Sequence, residues 1–152
     1  MRRILLLLVA LLCTSAPLTR GALEETPPTT DPSQPHRSSD AVKKAISAVI
    51  ESQLAAFRTD DYAKAYTFAA EEIQKMFTLA QFETMVKGGY PVIAHSTTAQ
   101  FGITIDTGDE AVVTVRVQND SKTVTYQYHM TRQKGVWRIG GVSEVESSGL
   151  TV

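Results

Sequence analysis

Three histidines, one cysteine and the adjacent carboxylates Asp60-Asp61 and Glu71-Glu72 are the residues of this chain to weigh first for a reaction. His36 falls in a proline-rich stretch, His95 follows an apolar run, and His129 stands among threonines. No two of them have the spacing that sets imidazoles on one zinc ion. Cys13 sits in a leucine run near the N-terminus and offers no thiolate to a folded site. No Gly-x-Ser-x-Gly stretch presents a serine nucleophile. No Gly-x-Gly-x-x-Gly or phosphate-loop run cradles a nucleotide. Asp60-Asp61 and Glu71-Glu72 are adjacent, and adjacent residues on a helix do not face each other. They read as a helix cap and a solvated face. Asn119-Asp120-Ser121 fits a glycosylation sequon and, more simply, a hairpin turn. The sequence predicts no catalytic residue, no metal ligand and no cofactor.

Aromatic residues remain. Tyr66, Phe82, Met85, Tyr90, Tyr126, Tyr128 and Trp137 all fall on faces that should meet between helices and sheet. A gap left there would be an apolar pocket with a few hydroxyl and indole groups to orient a small ligand. The alternative is a filled core in which each polar tip reaches a carbonyl or the rim.

The elements that must position these residues are legible in the hydrophobic periodicity. Val42, Ile46, Val49, Ile50, Gln53, Leu54 and Phe57 recur at steps of three and four, after Ser39 or Asp40 as N-cap. Thr59-Asp60-Asp61 interrupts. Tyr62, Ala65, Tyr66, Ala69, Ile73, Met76 and Phe77 then share a second helical face. Thr78 and Gln81 fit a capping box, with Phe77 and Phe82 as a hydrophobic staple, opening a third helix over Leu79–Lys87. Lys87-Gly88-Gly89-Tyr90-Pro91 reads as a hard stop: a basic last turn, a glycine in the left-handed conformation, then a proline.

From Phe101 the period becomes two. Phe101, Ile103 and Ile105 form one inward set. Ala111, Val113, Val115 and Val117 form the next, followed by Val124, Tyr126, Tyr128 and Met130, and then by Trp137 and Ile139. Turns at Thr107-Gly108-Asp109, Asn119-Asp120-Ser121 and Lys134-Gly135 join them into an antiparallel meander. Thr114, Arg116, Thr125, Gln127 and His129 make the outer face polar. On this phasing no Asp, Glu or His points inward, and Asp106 and His95 sit only at strand or loop ends. The expected class is α+β: three N-terminal helices on a curved four-stranded antiparallel sheet.

Outside the domain, Met1–Cys13 is a basic start followed by an apolar run too short to span a bilayer. With the small residues that follow, it predicts a signal peptide over residues 1–21. An uncleaved membrane anchor is the alternative. Leu11-Leu12 before Cys13 argues against lipid attachment. Residues 22–39 hold four of the six prolines and predict a disordered tether. The domain is expected over 40–146 and a flexible tail over 147–152. Removing the leader takes out Arg2, Arg3 and Arg20 and no acid. Basic residues fall from 15 to 12 against 16 acidic ones, and the net charge moves from −1 to −4. Such a balance disfavours nucleic acid and anionic membrane surfaces.

The stretches "VIESQLAAFRTDDYAKAYTFA", "MVKGGYPVI", "YQYHM" and "VWRIGGV" resemble the domain of unknown function 4864 family, over about residues 42–143. The family is similar in architecture to the nuclear-transport-factor-2-like and cystatin-like cone folds. Members often carry Ser-Pro where this chain has Ala70-Glu71, which implies an unkinked second helix here. The segment after Trp137-Arg138-Ile139 also lacks the polar and cysteine residues associated with the family pattern. The resemblance implies a cone-shaped fold and an exported setting, and brings no reaction with it. The expectation is an exported, periplasmic or secreted, non-enzymatic domain that binds a small molecule or a protein. It would bind no nucleic acid, insert in no membrane once the leader is gone, and be a monomer or weak dimer. Two alternatives stand: an acid–base enzyme of the isomerase or dehydratase kind using the same pocket, and a structural envelope protein anchored by an uncleaved leader.

Overall fold

The computed structural model describes Asp31 and residues 33–145. The expected signal peptide (1–21), residues 22–30 and 32 of the expected tether, and the whole expected tail (147–152) lie outside the described residues. A short strand, β1 (His36–Arg37), leads into helices α1 (Asp40–Arg58), α2 (Tyr62–Thr67), α3 (Glu71–Met76), α4 (Leu79–Gly89) and α5 (Pro91–Ala94). Strands β2 (Thr98–Asp106), β3 (Glu110–Gln118), β4 (Thr123–Gln133) and β5 (Val136–Glu144) follow. The strands pair antiparallel in the order β1-β2-β3-β4-β5. The α+β class stands, with five helices and five strands among the described residues where the sequence led to three and four.

Helix α1 is the spine. The Ser39 hydroxyl accepts from the Val42 amide at 3.3 Å, which satisfies one free donor of the first turn. Ile46, Ile50, Leu54 and Phe57 then form a stripe buried against the sheet. Asp60 takes a left-handed backbone (φ 55°), and the Asp61 carboxylate caps α2 by accepting from Lys64 N at 3.0 Å. The other half of the core comes from the alternating inward residues of the sheet, among them Val113, Val115, Val117, Tyr128 and Ile139.

Four features correct the sequence-based expectation. First, the second helix is broken. Phe68, Ala69 and Ala70 leave the helical path and pair with β5: Ile139 N donates to Phe68 O, and Ala70 N donates to Ile139 O, both at 2.9 Å. β5 is an edge strand, and its free backbone groups need partners. Gln74 fastens the break by donating to the carbonyls of Tyr66 (3.1 Å) and Ala69 (3.0 Å).

Second, neither Gly88 nor Gly89 has a positive φ; both continue α4. The stop comes from Pro91, which opens the short helix α5 and carries Val92, Ile93 and Ala94 into the core. Third, a bulge between Phe101 and Thr104 shifts the register of β2 against β3. A one-residue slip exchanges the two faces of a strand. Ile103 and Ile105 therefore point outward, while Thr104 and Asp106 are buried. Gly102 makes the bulge possible: a Cβ there would lie 3.2 Å from the Thr114 carbonyl oxygen. The outer face thus carries two isoleucines among its polar residues. Fourth, the fifth strand is His36–Arg37, from the stretch expected to be tether.

The Thr78–Gln81 capping box is present in both directions, with Gln81 N donating to Thr78 Oγ1 at 3.3 Å and Thr78 N to Gln81 Oε1 at 2.9 Å. Thr78→Ala should cost about 1 kcal/mol in denaturant unfolding. A Cβ at Gly88 meets nothing within 4 Å, so Gly88→Ala should stabilise by roughly 0.5–1 kcal/mol. Gly102→Val should destabilise, and a midpoint equal to that of the unmodified protein would contradict the bulge.

Candidate functional site

Between α1, the α2–α3 region, α4, α5 and the sheet lies a cavity of about 180 Å³. Its deeper wall is made by Gln53 and Phe57 of α1, Phe82 and Val86 of α4, and Tyr128 and Ile139 of the sheet, all buried. Partly exposed Ile73, Phe77, Met85, Tyr90 and Val142 form the rim. The space exists because α3 is set apart from α2. With Ala69 pinned to β5, Ile73 and Phe77 line the opening instead of continuing the α2 face.

The residues that the sequence assembled into a pocket divide into two groups. Phe82, Met85, Tyr90 and Tyr128 line the cavity. Tyr66, Tyr126 and Trp137 do not. The Tyr66 hydroxyl turns away to the carbonyls of Gln74 (2.9 Å) and Phe77 (2.5 Å), and its ring packs on Phe82 with centroids 5.3 Å apart. Tyr126 is buried beside Tyr90, centroids 6.3 Å apart. Trp137 is buried in the core away from the cavity wall. The Tyr90 hydroxyl donates to Val142 O at 3.0 Å, tying α4's end to β5 across the rim.

Two polar groups of the wall matter. Tyr128 has no solvent exposure, and its hydroxyl has no partner among the described residues. Burial pushes its phenol far above the ordinary range, with the charges of Tyr126, Glu51 and Tyr90 adding to it. Burial, then Glu144 and Tyr90, raise Tyr126 from 10.0 to about 12. Gln53 is 4% exposed and donates through Nε2 to Ala65 O at 3.1 Å. That leaves its Oε1 as the amide's remaining acceptor. The sequence carried a signal for Gln53: an amide inside an otherwise apolar helical stripe. Ile73, Phe77 and Val142 carried none, since the helix break and the sheet edge bring them together.

Among the described residues no Asp, Glu or His lines the cavity. Asp106, expected at a strand end and not inward, is buried at 4% exposure with Oδ2 unpartnered, because the bulge inverts the end of β2. It lies outside the cavity lining. His95 is exposed where α5 ends, and His129 is exposed on the outer sheet face. Among the described residues no three of His, Cys, Asp and Glu gather to hold a metal ion, and no helix is long and apolar enough to cross a membrane.

Fold and site together define an α+β domain whose helices cover one face of an antiparallel meander and leave an apolar cavity in the layer between. The chain belongs to the family described as Domain of unknown function (DUF4864), which it matches over residues 39–152. No curated protein matches the chain.

An unpartnered buried hydroxyl destabilises, so Tyr128→Phe should leave stability unchanged or raise it by about 1 kcal/mol. Tyr128→Ala should lower it by ~3–5 kcal/mol. A loss on Tyr128→Phe would mean that the hydroxyl has a partner. Since both phenols titrate higher in the folded state, their contribution is full below pH 10 and is lost as pH rises through the folded values. Absorbance titration should show Tyr126 ionising near pH 12, and Tyr128 only as the protein unfolds.

Proposed function

We propose that the domain binds a small, uncharged, mainly apolar molecule in the cavity between its helices and sheet. The single observation that carries this is an apolar space walled by aromatic and aliphatic side chains, with no charged residue among the described residues of its lining. Its size sets the ligand. A cavity of about 150 Å³ holds one benzene ring. A space of about 180 Å³ therefore suits a single ring or a short branched chain rather than a dinucleotide or a sterol. The Gln53 amide oxygen accepts a donor from the ligand. A ligand group beside Tyr128 would relieve its hydroxyl. A neutral ring or chain with one hydroxyl fits best; a carboxylate finds no cation in the wall.

The acid–base alternative needs a proton acceptor within reach of the bound molecule. The cavity wall supplies no carboxylate or imidazole, which favours binding over turnover. The reading includes the cone-shaped, nuclear-transport-factor-2-like description of the helix–sheet arrangement. It also includes export to the periplasm or outside, supported by the basic and apolar pattern of Met1–Cys13. It keeps a monomer or weak dimer, since the outer face interleaves Ile103 and Ile105 with Thr114, Arg116 and Gln127.

The test is ligand-dependent thermal unfolding with toluene, p-cresol and benzoate. A neutral ligand at a hundred times its dissociation constant should stabilise by about 2.7 kcal/mol. Benzoate should do nothing. Met85→Trp, which extends a ring across the rim, should fold and lose the response. No stabilisation by either neutral ring would refute the cavity as a binding site.

A further inference from the structure

We propose that His36 and Asp106 form a proton-operated latch that holds the segment preceding the helices against the sheet. The observation is independent of the cavity. Strand β1 is two residues long, pairing His36 with Asp106 and Arg37 with Ile105, and the Ser38 amide then donates to Thr104 O at 3.1 Å. So short a strand has little backbone pairing to hold it. What it adds is a side-chain contact with a buried acid. Asp106 Oδ1 accepts from Gly108 N at 3.0 Å and faces His36 Nε2 at 3.5 Å, while Oδ2 has no partner among the described residues.

The imidazole geometry decides the charge state that fits. His36 Nδ1 lies 2.9 Å from the Gln34 carbonyl oxygen, and Nε2 faces the Asp106 carboxylate. Both partners are acceptors. A neutral ring has one N–H, so one of its lone pairs must point at an acceptor. Only the imidazolium turns an N–H toward both, one at hydrogen-bond distance and one at ion-pair distance. With the second proton present, ring and carboxylate attract, and β1 stays on the edge of β2. When it is lost, a nitrogen lone pair opposes either the Gln34 carbonyl or the Asp106 carboxylate, the charge attraction is gone, and the strand is released.

Two other acids on the same side of the chain are already engaged. Asp40 pairs with Lys43 at the start of α1, and Asp31 is bound by Ser33. Arg37 is the neighbouring residue on β1, and Asp109 and Glu110 follow in the β2–β3 turn. Among the described residues Asp106 is the acid within ion-pair distance of His36. Ser38 Oγ is also buried without a partner, so the attachment carries two unsatisfied oxygens, Ser38 Oγ and Asp106 Oδ2. That puts it at the easily opened end of the structure. The family match begins at Ser39, after His36 and before Asp106.

The test is amide exchange on the intact chain, expressed as protection over the intrinsic rate at each pH. Protection of the Ser38 amide should fall about tenfold between about pH 5 and about pH 8, the range in which histidine changes charge. The Asn119 amide, in the β3–β4 turn, should not change. His36→Gln and Asp106→Asn should each give weak Ser38 protection that is flat with pH. A flat profile in the unmodified protein, or the same slope in His36→Gln, would overturn the latch. Ring nitrogen shifts give a second measure that needs no variant. With Ser38 protected, His36 should show both nitrogens protonated, and a neutral ring in that state would also overturn it.

Discussion

The backbone of Ile139 is the point on which the arrangement turns. β5 closes the meander and, among the described residues, has no further strand beside it, so its outward N–H and C=O would stand open. The chain meets this need by taking Phe68, Ala69 and Ala70 out of the helix and running them alongside Ile139 as one parallel bridge. Two hydrogen bonds are made at the cost of a continuous helix. Propensity opposes the exchange, because nothing in Phe68-Ala69-Ala70 breaks a helix. Edge satisfaction outweighs it, since unpaired backbone groups at a half-buried edge are costly. The further consequence is the cavity. Had α2 run on through α3, Ile73 and Phe77 would have stayed on the face that Tyr62 and Tyr66 define. Offset instead, α3 covers the gap between α4 and β5 without filling it.

The second determinant is the bulge at Gly102. It exchanges what the end of β2 shows to the interior for what it shows to water. Two isoleucines are left outside and a threonine and an aspartate are taken in. In area terms the exchange is unfavourable, since each exposed aliphatic side chain forgoes ~1.5–3 kcal/mol of burial. It becomes intelligible with β1 in place. The inward carboxylate receives the Gly108 amide on its own turn and the His36 imidazole from the approaching chain. Bulge, buried acid and short strand form one unit at one end of the sheet. The cavity forms another unit, at the edge where β5 meets the helices.

The tyrosines show how one residue type divides its work. Tyr66 and Tyr90 bind backbone carbonyls and act as ties, one across the helix break and one across the rim. Tyr126 fills the core behind Tyr90. Tyr128 sits deepest with its hydroxyl unanswered, which a residue serving packing alone would not need. From the sequence these four were interchangeable members of one aromatic set. Their separate roles follow from which carbonyl each ring can reach.

What the sequence determined by itself is everything written in local terms. The α1 stripe, the Asp61 and Thr78 caps, the hairpin turns and the inward alternation of β3 and β4 are consequences of spacing and of side chains reaching backbone a few residues away. So were the α+β class and the family resemblance. Part of the cavity wall was legible too, because Phe82, Met85, Tyr90 and Tyr128 lie on faces that periodicity fixes. Tertiary structure decided the rest. The helix break needed the edge of β5, 71 residues downstream by the Phe68–Ile139 pairing. The inversion of β2 needed the Thr114 carbonyl pressing on Gly102. The strand at His36 needed a buried Asp106 to attract it. Each of these joins groups far apart in the chain, and no local preference encodes a partner that only folding brings within hydrogen-bond distance.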